Sequence, residues 1–176
     1  MAIIIISVVV LLPVIILLLI GNKVRNKFTF DKEPNEEVIE VNDAVKFIKK
    51  NNQTIYTDGI MYLTNRRLLF FKHKFDWLNV IPIIGEAISS IFIDKNIALQ
   101  LPLHQLKHFT FQPKITYHNH RVAEQKGLTT FYTKQNEVFE FDIYVLGLAE
   151  GKAPDILLKL EKKMKELDNP NANNIK

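Results

Sequence analysis

No charged side chain interrupts the stretch from Ile3 to Ile20. As a helix, its 18 residues would extend roughly 27 Å, close to the hydrocarbon thickness of a bilayer. Pro13 would break a helix in water, but neighbouring packing tolerates proline within a membrane. No face of the segment is polar, so it does not read as the core-facing helix of a soluble domain. A cleaved signal peptide is the rival reading. Against it, no basic residue precedes Ile3 and no small-x-small cleavage pattern follows Ile20. Residues 1–21 are therefore expected to form one transmembrane helix. Lys23, Arg25 and Lys27 follow it directly, whereas only the α-amino group precedes it. The positive-inside bias then predicts a single-pass membrane protein with its C-terminal domain in the cytoplasm. A topology signal is enough to account for these three cations. Placed beside anionic headgroups, each would also contribute roughly 1 kcal/mol.

The remainder of the 176 residues is enough for one domain. With 24% charged and 47% hydrophobic residues, the chain is not disordered in composition. The absence of cysteine excludes disulfides, thiolate metal sites and a cysteine nucleophile. A net charge of +4 and a pI near 9.2 favour contact with an acidic surface. Residues 22–35 read as a basic, polar linker, 36–168 as the folded domain and 169–176 as a disordered tail. Val38, Ile39 and Val41 suggest a short first strand. Asn42 and Asp43 are placed to cap a short helix through Lys50, with Val45 and Ile48 as its apolar positions.

The segment GIMYLTNRRLLFF, Gly59 to Phe71, holds two β-rich runs around a polar corner, and reads as a hairpin. Its glycine-led strand, the Leu63-Thr64 end, the Asn65-Arg66 turn and the Arg67-Leu68 restart resemble the hairpin of GRAM-type, pleckstrin-homology-like domains. The likeness is to a membrane-anchored, bacterial-type member. Ile97 to Leu103 followed by Leu106 resembles a later strand of that family, as do Leu128 to Thr133 and Val138 to Val145 around the turn Lys134–Glu137. Pro154 opens a final helix on which Ile156, Leu160, Met164 and Leu167 recur at helical spacing. The resemblance implies a mainly β fold with α, a barrel or sandwich closed by the C-terminal helix. Met61, Leu63, Leu68, Phe70, Phe139, Phe141, Leu160 and Met164 are the expected core. Two departures stand out: Pro154-Asp155 replaces a tryptophan common near the last helix of relatives, and an apolar insert, 76–92, follows the hairpin.

That resemblance also implies a non-catalytic module without cofactor, binding membrane lipid headgroups (anionic ones included) or a protein partner. A protein-interaction scaffold without lipid specificity is the alternative. Arg67 reads as architectural, its stem over apolar surface and its guanidinium meeting solvent or a carboxylate. The sharper reading gives Arg66 or Arg67 a phosphate, which a guanidinium can bind bidentately. Lys72 and Lys74 would extend the basic rim. In the insert, Trp77, Ile81, Ile84, Ile88 and Phe92 fall at helical spacing over a length too short to span, which leaves burial against the barrel, an oligomer contact or bilayer contact, for which these five are the candidates. His104 and His108 do not share a helix face. His118 and His120 alternate onto one strand face, but no acidic neighbour in sequence completes a ligand set. A metal-dependent enzyme using these histidines is thus the weak alternative, and no nucleic-acid partner is expected.

Overall fold

A computed structural model describes residues 29–74, 92–118, 121–144 and 153–168, without the side chains of 116–118 and 121–125. Its strands are β1 (Val38–Lys50), β2 (Gln53–Thr64), β3 (Arg67–Lys72), β4 (Leu99–Pro102), β5 (Leu106–His118), β6 (Arg121–Thr133) and β7 (Val138–Tyr144). A 3₁₀ turn, Leu103–Gln105, joins β4 to β5, and a helix, α1 (Asp155–Asp168), comes after β7 in the chain. The strands make one seven-stranded antiparallel sheet in the order β4-β3-β2-β1-β7-β6-β5, curled into a half-barrel. This mainly β architecture with a C-terminal helix agrees with the coarse expectation. The expected transmembrane segment, 1–21, lies outside the described residues, among which no helix is long and apolar enough to cross a membrane.

Asn42 to Lys50 is strand, not the short helix its sequence suggests. The Asn42 side chain bonds locally, but around a bulge: Oδ1 accepts from the Ala44 N–H at 3.0 Å, while Nδ2 donates to the Tyr144 carbonyl at 3.2 Å. The register shift between Asn42 and Val45 turns Val45 and Phe47 inward. Pairing with β2 on one side and β7 on the other then outweighs a helical signal carried by only two apolar residues. Leu106–His118 is a full strand paired along β6. The expected strand over 97–103 shortens to β4.

Alternation places Phe47, Phe70, Phe131, Phe139 and Phe141 on the concave face. Phe47 stacks on Phe141 at 4.5 Å, and Phe70 and Phe131 meet Phe141 edge-on at 5.5 and 5.7 Å. The Phe111 ring lies over Gly127 and the Phe70 ring over Gly59, where a Cβ would collide with each. These glycines leave room for rings on the neighbouring strands. From α1, Ile156, Leu157 and Leu160 close the cluster, with Met164 at its margin. Of the eight expected core residues, all but Met164 are buried outright.

The β2–β3 hairpin is apolar on its other face too. Ile60, Tyr62, Leu69 and Phe71 are buried there in a second cluster. Phe30 lies 5.4 Å from the Tyr62 ring and 5.5 Å from the Phe71 ring, so residues read as linker run across the outside of the hairpin. Beside it, the Lys74 N–H donates to the Phe92 carbonyl at 2.6 Å and the Asp94 N–H to the Lys72 carbonyl at 2.9 Å. The two ends of the insert thus meet at one place on the sheet, while residues 75–91 lie outside the described residues.

Candidate functional site

The corner between β2 and β3 holds two of the four arginines, Arg66 and Arg67. Arg67 begins β3 and is buried, with a side-chain exposure of 7%. Its Nε donates to Glu36 Oε1 at 2.8 Å and its Nη2 to Glu36 Oε2 at 2.7 Å, a bidentate pair. Nη1 donates to Gln100 Oε1 at 2.9 Å, and Nη2 also to the Asp31 carbonyl at 3.1 Å. The Glu36 carboxylate in turn accepts the Glu33 N–H at 2.8 Å and lies 2.8 Å from the Thr64 hydroxyl. Bonding to Arg67, with help from the Glu33 N–H and Thr64, outweighs burial and draws the Glu36 pKa from an ordinary 4.5 down to about 2. Glu36 raises the Arg67 pKa in return.

The rest of the corner bonds the same segment. Asn65 Nδ2 donates to the Asn35 carbonyl at 2.9 Å, and Asn65 Oδ1 accepts the Glu37 N–H at 3.1 Å. Thr64 Oγ1 accepts the N–H groups of Arg66 and Arg67 at 3.2 and 2.9 Å, closing the turn. Leu-Thr-Asn-Arg-Arg therefore clasps residues 31–37 against the sheet. Arg66 is different: its side chain is half-exposed and, among the described residues, pairs with Glu33 at 3.4 Å.

A cleft of about 320 Å³ opens beside the clasp, with Glu33, Arg66, Arg67, Gln100, His104 and Leu167 among its walls. Glu33 and the buried Glu36 balance its two guanidinium groups, and the C-terminal end of α1 at Leu167 adds partial negative charge. The cleft is therefore nearly neutral and is not a funnel for anions. Lys72 does not join the arginines, since five strand positions, roughly 17 Å, separate it from Arg67, and it faces Asp94 at 3.7 Å. The Lys74 backbone is tied to Phe92, which is 41% exposed. Lys23, Arg25, Lys27, Trp77, Ile81, Ile84 and Ile88 lie outside the described residues. His104 borders the cleft while His108 stacks on Tyr132 at 4.4 Å, so the two do not converge. Among the described residues, no three His, Asp or Glu side chains are grouped to hold a metal.

A different cationic feature was present in the sequence but carried no motif. From Lys95 to Ala123 there is no acidic residue, while the stretch holds Lys95, Lys107, Lys114, Arg121 and four of the five histidines. This stretch supplies both edges of the sheet, β4 and β5. Lys107, Lys114 and the nearby Lys134 are exposed and have no ion pair among the described residues. A count of acids along the chain would have found it.

No family model and no curated protein matches the chain. Among solved structures, one titled as Vav1 inhibited by an allosteric inhibitor is similar at 14% identity and a TM-score of 0.39. The likeness covers 77% of this chain but only 27% of that one, so the present chain spans about a quarter of the Vav1 chain it matches.

Proposed function

We propose that this chain is a non-catalytic binding module of the GRAM-type, pleckstrin-homology-like kind, held at the cytoplasmic membrane face by residues 1–21. The observation that carries the reading is the clasp: the chain is fastened to the outside of the β2–β3 hairpin from Phe30 onward, directly after the apolar segment and its cations. Only nine residues lie between Ile20 and Phe30, ten steps with a reach of at most about 35 Å. A tether this short keeps the sheet within one domain diameter of the bilayer and raises its effective concentration there. Lys23, Arg25 and Lys27 would then meet anionic headgroups, with Lys72 and Lys74, beside the ends of the insert, as further phosphate contacts. Trp77, Ile81, Ile84, Ile88 and Phe92 would enter the interfacial layer. A protein partner is the second class of ligand that suits such a module.

Alkaline carbonate washing of membranes from cells expressing the full chain tests the tether. The full chain should stay in the pellet, and a chain beginning at Lys27 should be released. Release of both would remove the anchor from the proposal.

A further inference from the structure

We propose that the free edge of β5 is a docking site for an extended peptide that alternates acidic and apolar residues, added to the sheet as an eighth strand. The starting point is topology. β5 ends the strand order, and among the described residues it pairs with β6 alone and has no ladder bond on its other side. Such an edge is a template for another strand.

The two faces of β5 differ, and together they define the occupant. Outward, His108, Thr110, Gln112 and Lys114 are exposed, with His108 seated on Tyr132. Inward, Phe109 and Phe111 are only partly buried against the core, at the open side of the half-barrel. An added strand would therefore set one row of side chains beside cations and the other beside rings, because successive residues of a strand point to opposite faces. Lys107 sits at a register shift between Leu106 and His108, close to Lys134. Lys107 and Lys114 are seven residues apart, about 23 Å along the strand, which matches a heptapeptide.

Charge also selects against the other occupants. A second copy meeting this edge through its own β5 would bring lysine against lysine, and one offering β4, Leu99–Pro102, would bring no acid to the lysines. A lipid surface has phosphate for the lysines but no backbone to pair with the edge. The plain alternative is that Lys107, Lys114 and Pro113 only blunt the edge against aggregation.

The site depends on the chain being a binding module but not on the tether, so carbonate extraction and the following test fail independently. The full chain would be placed in nanodiscs of neutral phosphatidylcholine and titrated with a fluorescein-labelled heptapeptide alternating Glu and Val, read by anisotropy. Saturable binding that weakens with salt is expected, with none for the Lys-Val counterpart. Lys107→Glu with Lys114→Glu should weaken it tenfold or more, while retention by anionic vesicles persists. A Glu-Val peptide N-methylated at alternate residues keeps its charge but loses half its ladder donors, and should also bind at least tenfold more weakly. Equal binding of the methylated peptide would show charge adsorption and overturn strand addition. Absence of saturable binding up to millimolar peptide would leave the lysines as edge guards and overturn the proposal. Loss of vesicle retention in the double variant, with peptide binding unchanged, would reassign these lysines to lipid and overturn it as well.

Discussion

Replacing Glu36 by Gln isolates the clasp. The Glu36 side chain is 0% exposed and bonded to the Arg67 guanidinium at 2.7 and 2.8 Å. Its pKa falls from 4.5 to about 2, which corresponds to roughly 3 kcal/mol favouring the ionised, folded form. The folded pKa is depressed, so this stability is fully present above pH 4.5 and is lost as pH falls towards 2. By pH 3 roughly 2 kcal/mol of it should be gone. Gln keeps the shape and an acceptor but not the charge, and resembles the protonated acid. Urea unfolding of residues 27–176, followed by circular dichroism, would compare the two proteins at pH 7 and pH 3. Glu36→Gln should be less stable by about 3 kcal/mol at pH 7, and the gap should shrink to roughly 1 kcal/mol at pH 3. Other carboxylates titrate in both proteins and cancel in the difference. A gap under 1 kcal/mol at pH 7, or one unchanged at pH 3, would refute the assignment of Arg67 and Glu36 as the fastening of the N-terminal segment.

Phe141 is fully buried and contacts Phe47, Phe70 and Phe131; Phe141→Ala should lose about 3–5 kcal/mol in the same unfolding assay. Gly127→Ala and Gly59→Ala should both destabilise, by about 1–3 kcal/mol or more. The loss should be larger at Gly59, where the new Cβ meets the Phe71 backbone oxygen and not only a ring. Phe111→Ala should recover part of the Gly127→Ala loss but none of the Gly59→Ala loss. A reporter fused after Lys176 should be active only in the cytoplasm, and neutral residues at Lys23, Arg25 and Lys27 should scramble that orientation. Ile84→Asp with Ile88→Asp should abolish vesicle binding by residues 27–176 without changing their circular dichroism; unfolding by the pair would instead place the insert in the core.

What the sequence revealed depended on how locally each signal was written. The β2–β3 hairpin was legible because its turn chemistry and two β-rich runs lie within thirteen residues, from Gly59 to Phe71. α1 was legible from Pro154 and the spacing of Ile156, Leu160 and Met164. β1 was misread because Asn42 bonds to its neighbour in a bulge much as it would at a helix start, and the β7 partner of that bulge is a hundred residues away. The use of Arg67 was half legible: its architectural reading needed a carboxylate, but nothing local marked Glu36, 31 residues earlier, as the one. The basic sheet edge was missed because an absence of acids forms no motif, and its meaning comes only from β4 and β5 being the two ends of the sheet.

The central claim, a binding module working at a membrane, is tested most directly by cosedimentation of residues 27–176, without their anchor, with vesicles of neutral or anionic lipid. Retention by anionic vesicles that falls as salt is raised, with little retention by neutral ones, is the expected result. Equal partitioning into the supernatant with both lipids, by a protein whose circular dichroism shows it folded, would contradict lipid contact by the domain.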